Sequence, residues 1–124
     1  MRIAATIVRV LLGLIFLVFG LNGFLHFLSM PPMPEPATVF FTGLAAVHYL
    51  LPLLFSTQVI GGALLLSGVF VPLALALLAP VIVNIFLFHL FVAPDGIPMA
   101  VVVALCELFL LWAHRDAFAP MLRA

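Results

Sequence analysis

The chain has very few charged groups for its length. Its 124 residues include four basic and four acidic side chains, 6% in all, and every basic residue is an arginine. Soluble domains carry roughly 25% charged residues, whereas 68% of this chain is hydrophobic and its mean hydropathy is +1.49. We therefore predict an integral membrane protein whose surroundings are a lipid bilayer. The absence of lysine and of any run of basic residues excludes a nucleic-acid partner.

Only one cysteine, Cys106, is present. A single thiol excludes an internal disulfide and the dithiol chemistry of a C-x-x-C membrane oxidoreductase. We expect Cys106 to be a small packing residue within an apolar helix.

Long apolar runs, separated by prolines and polar turns, predict the membrane spans. A helix rises 1.5 Å per residue and needs about 20 residues to cross a hydrocarbon core of about 30 Å. The proline-rich segment 30–36 cannot continue a helix, and Pro52 is the next expected break. Segment 37–51 has only 15 residues, which predicts a short interfacial or re-entrant helix. The predicted fold is all-α, a single transmembrane domain over residues 1–124 that forms a four-helix bundle, with spans at about 3–25, 53–70, 71–92 and 97–113.

The apolar start of the chain also has features of a secretory signal. However, segment 3–21 is longer than the usual apolar region of a signal, and no small-x-small cleavage site follows it. We expect it to be retained as the first span.

Glycine spacing in the first two predicted spans indicates close helix packing. Gly13 and Gly20 are seven residues apart, as are Gly61 and Gly68. Two turns of helix place each pair on one face, where another backbone can approach closely. We expect these faces to pack within the monomer, with a homo-oligomer interface as the alternative.

The charge asymmetry predicts the orientation in the membrane. Four spans place both termini on one side, and the four arginines lie in the terminal regions, at Arg2, Arg9, Arg115 and Arg123. The loops on the other side carry only the acidic residues Glu35 and Asp95. The positive-inside rule then predicts a multi-pass protein of the cell (inner) membrane with both termini in the cytoplasm.

Glu107 is the main functional candidate. Apart from Arg9, which is close enough to the interface to extend its side chain there, Glu107 is the only charged residue within a predicted span. It lies ten residues after Ile97 and so near the bilayer midplane. A charge at that depth costs a few kcal/mol on insertion scales, so such residues usually serve a function.

Other polar side chains lie at the predicted depth of Glu107 or closer to the outer side of the membrane. They predict a polar pocket that opens outward, with Glu107 at its floor. Polar groups in lipid need partners, so Glu107, Asn84 and Gln58 are expected to lie close together. Glu107 is expected to be protonated, or else hydrogen-bonded to His89 or to the two amides. The alternative is structural: Glu107 joins two helices, and the histidines are interfacial. The predicted ligand-binding residues are Glu107, Asn84, Gln58, His89, Asn22, His26 and His48.

The histidines do not predict a metal site. Metal-ligating pairs on a helix usually lie three or four residues apart, and no two histidines here have that spacing. His26, His48 and His89 share the outer level, and only His26 with His89 could oppose each other across a haem. No phosphate-binding glycine loop and no Ser-His-Asp arrangement is present. We therefore assign no catalytic residue, and the sequence does not decide whether the chain is an enzyme.

Several segments spread over most of the chain carry a family resemblance. They are RVLLGLIF and FGLNGF in the first span, and residues 58–68, 72–75, 80–85 and 88–91. These segments resemble the DoxX family of membrane proteins. The resemblance implies a four-span bundle and a link to redox biology, because the family name comes from a subunit associated with quinol oxidation and thiosulfate:quinone oxidoreductase activity. Other members associate with oxidative-stress proteins. Many relatives carry glutamate where this chain has Gln58. In this chain, Glu107 is therefore the only carboxylate left for a proton-coupled role.

Two functions compete at this point. The first is a redox-associated membrane protein that binds a quinone or similar lipophilic molecule and works with a redox partner protein. Aromatic and aliphatic walls with a few polar groups suit such a ligand, and the chain has 13 phenylalanines. The second is a non-enzymatic binder or transporter of a small solute or lipid, in which Glu107 grips the ligand or couples to protons. A membrane scaffold for a partner protein is a further alternative.

Overall fold

All regular elements in residues 2–27 and 32–122, which the computed structural model describes, are helical. Two 3₁₀ turns, at Pro94–Gly96 and Ala119–Leu122, accompany the α-helices. The α-helices are α1 (Arg2–Leu25), α2 (Glu35–Ala45), α3 (Leu50–Ser67), α4 (Val71–Phe91), α5 (Ile97–Ala113) and α6 (Arg115–Phe118). The prediction of an all-α fold is confirmed.

Four of these helices are long and apolar enough to cross a bilayer. They are α1, α3, α4 and α5 with its preceding 3₁₀ turn, and their lengths are 24, 18, 21 and 20 residues. Large apolar side chains such as Leu53, Val83 and Leu105 are exposed on the outside of the bundle, where hydrocarbon tails would surround them. The four-span bundle is confirmed, and the chain is a multi-pass membrane protein.

Pro52 does not break the chain where the sequence suggested. Helix α3 begins at Leu50, so Pro52 lies in its first turn. The first N–H groups of a helix have no partner within it, so a proline there removes no hydrogen bond. The break lies instead at residues 46–49. The short helix accordingly ends at Ala45, whereas the prediction extended it over 37–51.

The short helix α2 packs onto the end of α4 through aromatic rings. Phe40 and Phe41 lie 5.0 Å and 5.4 Å from the ring centre of Phe88. Such tilted and edge-on arrangements are favourable for aromatic pairs. This contact holds α2 against the bundle at the end opposite the chain termini.

A turn of three residues joins α3 to α4. Gly68 follows Ser67 with a left-handed φ of +73°, and its N–H donates to the carbonyl of Leu64 at 3.0 Å. Glycine is the residue that adopts this conformation without a steric penalty. The predicted spans, 53–70 and 71–92, are adjacent in sequence, and the short turn between α3 and α4 agrees with that. Gly68 lies beyond the end of α3, so it forms this turn rather than a packing face with Gly61.

Glycines bring the backbones of α1 and α3 into direct contact. A Cβ atom at Gly62 would lie 2.6 Å from the backbone nitrogen of Leu17 and 2.8 Å from the carbonyl oxygen of Gly13. At Gly20 a Cβ would lie 3.0 Å from the backbone nitrogen of Val59. Neither position leaves room for a side chain. The close packing predicted from Gly13 and Gly20 thus occurs within the monomer.

The core is a layer of aliphatic and aromatic side chains between the four spans. Leu75 and Leu78 of α4 are fully buried, as is Leu110 of α5. They pack in one cluster with Leu12 and Phe16 of α1. Cys106 is half-buried against this cluster. The core fixes which face of each helix points inward, and so it fixes which polar residues can meet.

Candidate functional site

Glu107 lies on the face of α5 that points into the bundle. Its side chain is only 3% exposed. Buried Ala100, Val103 and Leu110 share this face, and the spacing of these four residues is that of one helix face. Glu107 is therefore a polar group on an otherwise apolar face of α5.

The carboxyl group of Glu107 has no hydrogen-bond partner in the part of the chain that the structure describes. Both Oε1 and Oε2 are buried and neither accepts a hydrogen bond. The predicted alternative, a hydrogen bond from His89 or from the two amides, is therefore wrong. Burying a carboxylate without a donor or a cation is strongly unfavourable. We expect the carboxyl to be a neutral acid.

A groove between α4 and α5 reaches Glu107. Its volume is about 430 Å³, within the usual range for small-molecule sites, and it is open on one side. We call it the α4–α5 groove; its lining is Ala79, Ile82, Val83, Phe86 and Leu87 of α4 with Val101, Ala104, Leu105, Glu107, Leu108 and Leu111 of α5. Val83, Leu87, Leu105 and Leu108 are exposed, so the groove is accessible from the lipid side. Among the described residues that line the groove, Glu107 alone is titratable.

Asn84 lies on the side of α4 opposite its buried face. The side chain is exposed, whereas Leu75, Leu78 and Ile82 form the buried face of α4. At 100° per residue, Asn84 is turned away from that face and from the groove. The structure therefore does not bring Asn84 to Glu107, because depth along a helix fixes the level of a residue but not its direction.

Gln58 is buried, as expected for a polar residue within a span, and is 7% exposed. It lies at the interface of α3 with α1, and not at that of α4 with α5. A Cβ atom added at Gly20 of α1 would lie 3.0 Å from the Cβ atom of Gln58. Gln58 is not part of the groove lining. It makes no hydrogen bond to Glu107.

The other predicted site residues lie at the end of the bundle opposite the termini. His89 is half-buried, and its Nδ1 donates to the carbonyl of Ile85 at 2.9 Å. His26 and His48 are exposed, and Asn22 is half-buried. In residues 2–27 and 32–122 no three His, Cys, Asp or Glu side chains come together as a metal site would require. None of these four residues lines the groove around Glu107.

The apolar lining of the groove is what the sequence did not identify. Phe86, Leu87 and Leu108 belong to helices whose residues are almost all apolar, so composition does not separate a groove-lining face from a lipid-facing one. The available signal was the spacing of three and four residues between lining positions on each helix. The spacing identifies the groove only when the rotation of α4 relative to α5 is known, and packing alone sets that rotation.

Comparison of the chain with protein-family models, with curated proteins and with solved structures gives no match. Membership of the DoxX family therefore stays a prediction from the resemblance of the segments given above.

Proposed function

We propose that this membrane protein binds a lipophilic small molecule with a carbonyl group, such as a quinone, in the α4–α5 groove. The observation that carries the proposal is the Glu107 carboxyl group. It is buried beside an open apolar groove of about 430 Å³ and has no partner among the described residues. A buried polar group normally has a hydrogen-bond partner. Both oxygens are covered in the unliganded structure, so a rotation of the Glu107 side chain toward the groove would let a bound ligand supply one.

The chemistry of the groove suits such a ligand. As a neutral acid, Glu107 donates its O–H to a ligand carbonyl, and its second oxygen accepts a hydrogen bond from a hydroxyl of the reduced form. The aliphatic wall and the ring of Phe86 contact the ligand ring and tail. Small-molecule sites commonly combine apolar walls with a few polar groups in this way.

A redox-associated role is the wider form of this proposal, and it rests on the resemblance to the DoxX family. A bound quinone would take up or release electrons through a redox partner protein, while Glu107 exchanges the accompanying proton. Gln58, which lies away from the groove, has no part in this exchange.

A non-enzymatic lipid binder is the second candidate. It is favoured by the exposure of Val83, Leu87, Leu105 and Leu108, since an acyl chain could enter the groove sideways from the bilayer. The two candidates differ at Glu107, because an acyl chain makes no hydrogen bond to it. A ligand that depends on the carboxyl group therefore separates them.

For the setting, we propose the cell (inner) membrane with both termini in the cytoplasm. Arg2, Arg9 and Arg115 support this orientation, since all three lie near the ends of spans at the terminal end of the bundle. A reporter fused to either terminus tests it; activity on the external side would contradict the orientation without affecting the groove.

The test of the groove is binding of a decyl-substituted benzoquinone to the purified protein in lipid nanodiscs. Wild-type protein is compared with Glu107→Leu, which removes the hydrogen bond, and Glu107→Gln, which keeps an N–H donor. Asn84→Leu is the matched control, because it removes a polar group at similar depth from the face turned away from the groove. A neutral hydrogen bond contributes about 0.5–1.5 kcal/mol, so Glu107→Leu should weaken binding by roughly three- to tenfold.

Glu107→Gln should retain part of the affinity, and Asn84→Leu should bind like the wild type. Equal affinity of the wild type and Glu107→Leu would remove Glu107 from the site and favour the acyl-chain alternative. No saturable quinone binding by the wild type would contradict the proposed function.

A further inference from the structure

A second cavity lies at the end of the bundle that carries both termini. It encloses about 270 Å³ and is formed by residues of the first turns of α1, the α3–α4 turn, the start of α4 and the end of α5. It shares no lining residue with the α4–α5 groove. We call it the terminal cavity.

Three basic side chains, Arg2, Arg9 and His114, line this cavity. Its other lining residues are small or apolar apart from Thr6, and the lining includes no carboxylate of the described residues. These three side chains are close together in space although 112 positions separate Arg2 from His114. A concave site with cationic groups and no acidic side chain favours an anion.

Arg9 is held in place by the end of α3. Its Nη1 donates to the carbonyl of Leu65 and to that of Leu66, the latter at 3.3 Å. These are last-turn carbonyls without a helical partner, and a cation there also interacts favourably with the helix dipole. Gly68 makes room for the guanidinium, since a Cβ at this position would lie 3.1 Å from Nη1.

This anchoring leaves donors of Arg9 for a ligand. A guanidinium has five N–H donors in a planar fork, and the two hydrogen bonds to α3 both use Nη1. Nε and Nη2 make no hydrogen bond within residues 2–27 and 32–122 and remain for an anion. The contact with α3 fixes their position. An arginine fixed in this way loses little side-chain entropy when a ligand binds.

His114 adds a third group from the other side of the cavity. Its Nδ1 lies 3.0 Å from the carbonyl of Leu110, and because a carbonyl only accepts, Nδ1 carries the hydrogen. Nε2 is then the ring nitrogen that a ligand can use. It accepts from a protonated phosphate or, as imidazolium, donates to an ionised one.

We infer that the terminal cavity binds a phosphate group, held by Arg2, Arg9 and His114. Phosphate matches the fork of an arginine with two parallel hydrogen bonds. The cavity lies where the spans end, which is the level of the headgroups in a bilayer of about 30 Å. Basic pockets between membrane helices at that level bind lipid headgroups. The phosphate of an anionic phospholipid is therefore the expected source, and free phosphate is the other source of the same chemistry.

The test is native mass spectrometry of the protein released from mixed micelles that contain either phosphatidylglycerol or phosphatidylcholine. Arg2→Gln removes a guanidinium, and His114→Gln removes the imidazole. Arg115→Gln is the matched control, because Arg115 is basic and adjacent in sequence to His114 but lies over the ring of Trp112, at 4.8 Å, and does not line the cavity. Arg9→Lys is a further variant that keeps the charge but not the fork. Circular dichroism confirms the helical content of each protein.

We expect retained phosphatidylglycerol to exceed phosphatidylcholine, and Arg2→Gln or His114→Gln to weaken phosphatidylglycerol binding by about fivefold each. Arg115→Gln should have no effect.

A parallel titration with inorganic phosphate identifies the source of the phosphate group. If binding of inorganic phosphate depends on Arg2 and the protein shows no preference between the two lipids, the ligand of the cavity is a soluble phosphate. Equal phosphatidylglycerol binding by the wild type, Arg2→Gln and His114→Gln would overturn the inference if inorganic phosphate binding is also unchanged. An equal loss in Arg115→Gln would overturn it too, since it would indicate diffuse surface charge.

Discussion

Glu107 and Asn84 illustrate two ways in which a membrane helix can carry a polar side chain. Glu107 is buried with both oxygens unpartnered among the described residues, whereas Asn84 is exposed on the outside of α4. The first arrangement disfavours the folded bundle unless a ligand satisfies the carboxyl group. It is therefore expected to lower stability in exchange for binding, as active and binding sites often do.

We predict that Glu107→Leu stabilises the ligand-free protein. Leaving a buried polar group without a partner costs about 1–3 kcal/mol, and leucine removes the polar atoms while keeping a side chain of similar length. Glu107→Gln keeps a polar group and serves as the control, with little change expected. The measurement is the unfolding midpoint in detergent micelles. If leucine instead lowers the midpoint, Glu107 joins the helices, which is the structural role that the sequence left as the alternative.

Among the described helices, α1 and α3 share the most extensive contact, and glycines allow their backbones to approach closely. Gly62 lies against backbone atoms of Leu17 and Gly13, which cannot move aside as a flexible side chain would. The sequence indicated this contact through the spacing of Gly13 and Gly20. It gave no equivalent signal for the packing of α4 on α5, where large aliphatic side chains leave a groove instead.

We predict that Gly62→Ala destabilises the bundle by about 1–3 kcal/mol, the usual cost of overpacking a well-packed site. Gly43→Ala is the matched control, because a Cβ at Gly43 meets nothing within 4 Å. Alanine has the higher helix propensity, so this control should be neutral or slightly stabilising. Unfolding midpoints of the two variants in the same detergent provide the comparison. Equal midpoints would contradict the close backbone contact between α1 and α3.

At the scale of the whole molecule, the number of spans and the positions of the turns were predictable from the lengths of the apolar runs and from the glycines and prolines between them. Four apolar runs, the turn at Ser67-Gly68 and the turn at Pro94–Gly96 follow from hydropathy and from glycine and proline chemistry. Pro52 misled the prediction because a proline breaks the interior of a helix but is tolerated in its first turn.

The site was less predictable, for a geometric reason. Rise per residue gives the depth of a side chain, so Glu107 and Asn84 were placed at similar levels. The rotation of each helix about its axis depends on packing, which uniformly apolar sequences do not encode in their periodicity. That rotation separates Asn84 and Gln58 from Glu107. It also brings Arg2 and Arg9 to His114 in the terminal cavity, a grouping that the sequence analysis did not anticipate.

The central claim, a hydrogen bond between Glu107 and a ligand in the α4–α5 groove, is tested most directly by infrared difference spectroscopy. Spectra of the wild type with and without decyl-substituted benzoquinone are compared with those of Glu107→Gln. We predict a protonated carboxyl band at neutral pH that is absent from Glu107→Gln and moves to lower frequency when the quinone binds, because hydrogen bonding weakens the C=O bond. A wild-type carboxyl band that does not respond to bound quinone, or a carboxylate band in its place, would contradict the account.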